Sequence, residues 1–144
     1  MRLVLDTNVF ISYLLQPSSE GAPQTIVRRV LGGEAILIAN DILLDELTRI
    51  ATRKPAVARQ IDPNTFEWLH NALSALALVA PFTEEEIPAI SRDPGDDYLV
   101  ALAVLEGADY LVTGDKDLLV LGQVAETRIV SPAAFVAILD RITS

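Results

Sequence analysis

Four carboxylates in this 144-residue chain stand where the surrounding pattern could make them work together: Asp6, Glu46, Asp97 and Asp115. Asp6 ends the apolar run Leu3-Val4-Leu5, and Asp115 follows Tyr110-Leu111-Val112-Thr113-Gly114. Continuous apolar runs of this kind mark strands buried on both faces. In an open parallel sheet, ligands bind beyond the carboxyl ends of such strands. Asp97 falls in the first turn of an apolar helix, where the helix dipole favours an anion; its neighbour Asp96 points about 100° away around the helix. Glu46 lies between Ile42 and Ile50 on a helical wheel, at the edge of an apolar arc. A carboxylate there is partly desolvated unless a cation or donor meets it. The same place suits a boundary residue with its head in water, and both readings stand.

Convergence of the four acids would raise some of their pKa values by mutual repulsion. A hard divalent cation with all-oxygen ligands, Mg²⁺ or Mn²⁺ in one or two copies, resolves that conflict. The chemistry such a site suits is phosphodiester hydrolysis. One ion lowers the pKa of the attacking water, and a second, about 3.5–4 Å away, stabilises the leaving oxygen. Neither thiol nor imidazole is required, and the chain has no cysteine and a single histidine, His70.

The spacing also predicts the elements that must position these residues. A strand over 3–5 gives way to a helical pattern from Asn8, a loop over 17–21 and a helix over about 22–32 closed by Gly32-Gly33. A second buried strand is expected over 35–39. Asn40 then caps a helix carrying Ile42, Leu43, Leu47 and Ile50. Asp62-Pro63 opens another helix with the stripe Phe66, Leu69, Leu73, Leu76 and Ala77. A short strand over Ala77–Pro81 and an acidic loop over Thr83–Pro88 come next. Asp93-Pro94-Gly95 starts a deeply packed helix that Gly107 ends. Strands at 110–113 and 128–130 precede a last helix entered through Ser131-Pro132. Strands alternating with helices imply βαβ units. The expected fold is α/β, a three-layer α/β/α sandwich with a central parallel sheet, formed by one domain over 1–144.

Composition bounds the function classes. With 51% hydrophobic residues and a mean hydropathy of +0.36, the chain is not disordered. No apolar run approaches the roughly 18 residues of a membrane span, and the apolar start breaks at Asp6 too early for a secretory signal. A soluble, cytoplasmic domain is expected. The formal net charge of −9 argues against a generic nucleic-acid binder. The densest positive groups are Arg28-Arg29 and Arg49, Arg53 and Lys54. Arg49 and Arg53 stand one helical turn apart near Glu46 and could contact phosphates; the competing reading is a solvated face in which Asp45 pairs with Arg49.

The chain resembles the PIN-domain ribonucleases, in particular the VapC-like branch described as toxin components of toxin–antitoxin systems. The segments that carry the resemblance are Leu3-Val4-Leu5-Asp6-Thr7-Asn8-Val9, Ile42-Leu43-Leu44-Asp45-Glu46-Leu47, Arg92-Asp93-Pro94-Gly95-Asp96-Asp97, and Ala108-Asp109-Tyr110-Leu111-Val112-Thr113-Gly114-Asp115-Lys116-Asp117-Leu118-Leu119. It implies a PIN-like fold, an acidic site for Mg²⁺ or Mn²⁺, and endonucleolytic cleavage of single-stranded RNA. It further implies a homodimer neutralised by a small antitoxin protein. By position, Asp6, Glu46, Asp97 and Asp115 are the four acids, catalytic and metal-binding, with Asp117 and Asp96 auxiliary. Asp97 is favoured over Asp96 because it stands three residues before Val100-Ala101, as in the family's D-x-x-[IV]-A pattern. Many relatives carry Asn at the Asp115 position. Thr7, Asn8 and Thr113 would orient carboxylates or a bound water.

Blander readings compete with each motif. Asp6-Thr7-Asn8 and Gly114-Asp115-Lys116-Asp117 also have the composition of ordinary turns. Glu84-Glu85-Glu86 reads as a solvated loop, His70 as a core or rim residue, and Trp68 as a packing residue or a partner contact. A haloacid-dehalogenase-like phosphohydrolase would use a strand-end Asp nucleophile with a second Asp two residues later, where this chain has Asn8. A non-catalytic PIN-fold binding module is the other alternative.

Overall fold

The computed structural model describes residues 1–76 and 97–143, apart from the side chains of Leu76 and Asp97. The expected strand over 77–81, the acidic loop, the Asp93-Pro94-Gly95 helix start and Asp96 lie outside the described residues. No helix among the described residues is long and apolar enough to cross a membrane.

Among the described residues, five strands form one sheet: β1 (Arg2–Leu5), β2 (Ile36–Leu37), β3 (Tyr110–Val112), β4 (Gln123–Val124) and β5 (Thr127–Val130), in the order β2-β1-β3-β5-β4. β1 pairs in parallel with both β2 and β3, and β3 pairs in parallel with β5. The expectation of a parallel sheet therefore holds with one correction. β4 runs antiparallel to β5 as an edge hairpin, turning through Ala125 at φ 51°. Ala-Glu is not a pair that announces such a turn.

The helices are α1 (Thr7–Leu15), α2 (Ala22–Arg29), α3 (Asp41–Arg53), α4 (Pro55–Ala58), α5 (Pro63–Leu76), α6 (Asp97–Leu105), α7 (Lys116–Leu119) and α8 (Pro132–Thr143). From β1 the chain crosses to β2 on one side and later to β3 on the other. Right-handed crossovers in opposite directions put their helices on opposite faces. α2 accordingly packs on α1 and α8, while α6 lies against β1 and β3.

Two sequence expectations are corrected. The helix from Ala22 ends at Arg29 and passes into a π-type turn over Val30–Glu34, because Gly33 takes φ 97° there. The strand over 35–39 shrinks to β2 at the sheet edge, where Ile36 is 55% exposed rather than buried on both faces.

The core is continuous from β1 (Leu3, Val4, Leu5) through Phe10 and Leu14 to Leu99 and Leu102 of α6, all at most 1% exposed. α3 starts where expected, with Asn40 Oδ1 accepting from the Leu43 amide. Its buried stripe is Leu43, Leu44, Leu47 and Ala51. The apolar face is thus turned away from Ile42 and Ile50, which share the half-buried boundary with Glu46. Trp68 on α5 is exposed, and His70 packs its ring against Phe66.

Candidate active site

The strand order reverses between β1 and β3, so a crevice must open beyond their carboxyl ends. Leu5 is paired with Val112 in register, and the next residue on each strand is Asp6 and Thr113. The Asp6 amide still donates to the Val112 carbonyl, at 2.9 Å, so the sheet geometry carries these two side chains to the same edge.

Asp6 occupies the N-cap position of α1 and is 4% exposed. Thr113 Oγ1 donates to its Oδ2 at 2.7 Å, Asn8 Nδ2 to the same oxygen at 3.2 Å, and Thr7 Oγ1 to Oδ1 at 3.2 Å. All three expected orienting residues therefore reach one carboxylate. Thr113, fully buried, accepts in turn from the Asp115 amide at 3.0 Å. Asn8 Oδ1 accepts from the Gly114 amide at 3.4 Å. The network ties the end of β1 to the loop after β3 on both sides.

Burial pushes the Asp6 carboxyl above its ordinary pKa. Hydrogen bonds from Thr113, Thr7 and the Asn8 amide pull it back, and the negative charge of Glu46 pushes it up again. Asp6 and Glu46, forty residues apart in sequence, are therefore electrostatic neighbours.

Glu46 sits half-buried on α3, and its Oε2 accepts a hydrogen bond from the Tyr98 hydroxyl. Sequence reasoning misses Tyr98. Its signal is faint: it is the one residue with a polar tip in the otherwise apolar α6 run after Asp97. Asp115 caps the short α7, its Oδ1 accepting from the Asp117 amide at 2.9 Å. Asp117 stands in the first turn of α7, partly exposed. Asp97 is the first residue of α6, beside Tyr98. Among the described side chains, no three metal-ligating groups gather into a ready-made cluster, and the Asp97 carboxylate is not one of those side chains.

Two clefts are lined by candidate site residues. One, of about 530 Å³, is lined by Asp45, Glu46, Thr48, Arg49 and Arg53. The other, of about 470 Å³, is lined by Asn8, Ser12, Gly114, Asp115 and Pro132 among others. The competing reading, a pair of Asp45 with Arg49, does not form among the described residues, where the ion pairs are Arg2–Glu106, Arg29–Glu34 and Arg29–Asp140. Arg28 donates to the Pro17 and Ser19 carbonyls. The Arg28-Arg29 pair is thus spent on structure, while Arg49 and Arg53 face the cleft that Glu46 also lines.

The sequence profile of the PIN domain family matches residues 2–117. The chain belongs to the PIN domain family. Among solved structures, this PIN domain is similar to a chain in the crystal structure of VapBC2 from Rickettsia felis bound to a DNA fragment from their promoter. The two share 15% sequence identity with a TM-score of 0.55, and the match covers 91% of this chain and 98% of that one. At that identity the likeness is one of fold. No curated protein sequence matches.

Proposed function

We propose that this PIN domain is a divalent-cation-dependent endoribonuclease that cleaves single-stranded RNA. The observation that supports it best is Asp6: a carboxylate buried at the switch point of the sheet, oriented by three side-chain donors and repelled by Glu46. A buried acid in that setting is unfavourable unless its charge is used.

The donor set fits Mg²⁺ or Mn²⁺. Every candidate ligand offers oxygen, as hard cations require. Asp6, Glu46, Asp97 and Asp115 would hold one or two ions, with Asp117 and Asp96 alongside. A bound cation would supply an acidified water and charge neutralisation at the phosphate. The chain's own contribution is positional. Thr113, Thr7 and Asn8 fix the Asp6 oxygens, and the Asp115 amide–Thr113 link keeps the loop after β3 in step with them. Arg49 and Arg53 line the cleft beside Glu46 and would hold the backbone phosphates of the strand. Asn8 stands where a phosphohydrolase of the aspartyl-nucleophile type would need a second acid, and here it is a donor to Asp6.

The same reading makes the protein the toxin of a toxin–antitoxin pair, acting as a homodimer in the cytoplasm. The structural likeness to a chain of a VapBC2 complex supports an antitoxin protein as partner. The net charge of −9 favours a basic segment on that partner.

The deciding experiment incubates purified protein with single-stranded RNA with and without Mg²⁺ or Mn²⁺, beside Asp6→Asn and Glu46→Gln. Cleavage is expected only with the cation, falling by about 10³-fold or more in both variants. Cleavage that persists in EDTA, or in both variants, overturns the mechanism.

A further inference from the structure

Glu46 differs from Asp6 in having a single side-chain donor among the described residues, the Tyr98 hydroxyl. That donor comes from the second residue of α6, 52 positions away in sequence. Tyr98 is 7% exposed, so its ring is locked in the core while its oxygen emerges at the site. A long, half-buried glutamate on a helix surface samples several rotamers unless something holds its head. A buried tyrosine is well suited to do so, because its ring has little freedom left to lose and its hydroxyl seeks a partner.

We propose that Tyr98 is a positioning residue for Glu46. Its hydroxyl holds Oε2, which would leave Oε1 available to a bound cation. Tyr98 also follows Asp97 directly, so one turn of α6 brings the third acid by position and the group that orients the second. This rests on the nuclease reading for its consequence, though not for the contact itself.

Tyr98→Phe deletes only the oxygen and keeps the packed ring. Mn²⁺ affinity, measured by calorimetry on RNA-free protein, is expected to fall about tenfold, the usual scale for losing a group that orients a metal ligand. Turnover of RNA should fall with KM nearly unchanged. In a Glu46→Gln background the same substitution should add nothing to the loss of Mn²⁺ affinity. A purely structural tyrosine would instead lower thermal stability and leave the affinity alone, which overturns the proposal. If the native protein neither binds Mn²⁺ nor cleaves RNA, the nuclease reading fails by itself. The positioning role is then judged by ¹³C relaxation at the Glu46 side chain. Loss of order in Tyr98→Phe supports it, and equal order in the two proteins overturns it.

Discussion

Two acids that sense each other's charge, Asp6 and Glu46, are held in opposite ways. Asp6 is fixed by its own neighbourhood: Thr7 and Asn8 come directly after it in sequence, and Thr113 directly follows Val112, the register partner of Leu5. Glu46 is fixed from a distance, by one hydroxyl on another helix, and opens on a cleft with two arginines. The first arrangement is rigid and dry; the second is half-solvated and lies where an anionic strand could enter. A site built this way has one end that defines geometry and another that can adjust to a ligand.

The difference is sharpest at Thr113, because its hydroxyl serves both Asp6 and the Asp115 amide. Thr113→Val keeps the shape and leaves a buried carboxylate oxygen and an amide without that partner. It should cost about 1–3 kcal/mol of stability, read as a drop in the denaturation midpoint, together with loss of cleavage. If the Asp6 end is the rigid one, Tyr98→Phe should cost clearly less stability than Thr113→Val. Equal losses would remove the contrast between the two ends.

The open end is tested by replacing Arg49 and Arg53 together with alanine. RNA affinity, measured with the non-cleaving Asp6→Asn protein as background, is expected to weaken about tenfold, or about 1.4 kcal/mol. The slope of log K against log salt should fall by about 0.7 for each phosphate no longer neutralised. Thermal stability should be unchanged, since neither arginine makes an ion pair among the described residues. Unchanged affinity and slope would move the strand out of this cleft.

The same difference governs how legible each end is in the sequence. The Asp6 end is made of local turn chemistry and strand register, so Asp6 and Asp115 can be read from two apolar runs and the acids that follow them, while Thr7, Asn8 and Thr113 are picked out by the family resemblance. The Glu46–Tyr98 contact joins residues 52 positions apart on two different helices, and no local pattern encodes that. The arginines divide in the same way. Arg28-Arg29 and Arg49/Arg53 look alike in sequence, yet Arg29 is pinned by Glu34 and by Asp140, 111 residues away. The sequence pattern misplaces the α3 face by one residue because Leu44 and Ala51 also pack inward. The β4 hairpin escapes sequence reading because its turn lacks the usual glycine or asparagine.

The smallest expected effect has the opposite sign to the others. The folded-state pKa of Asp6 is raised above 3.8 by burial and by Glu46. Between that ordinary value and the raised one, the native state keeps a proton that the unfolded chain has released. Stability must then fall as pH rises through this window, and the penalty stays in place above it. Asp6→Asn removes the charge and with it the penalty, at the expense of activity. In EDTA at pH 7 the variant should be more stable than the native protein, read as a higher Tm. The gain should vanish below about pH 4, where the native carboxyl is protonated in both states. Denaturant melts of the two cation-free proteins at pH 7 and at low pH measure this directly. A variant less stable than the native protein at pH 7 would show that the three donors outweigh burial, and that the rigid end of the site stores no unfavourable charge for a cation to relieve.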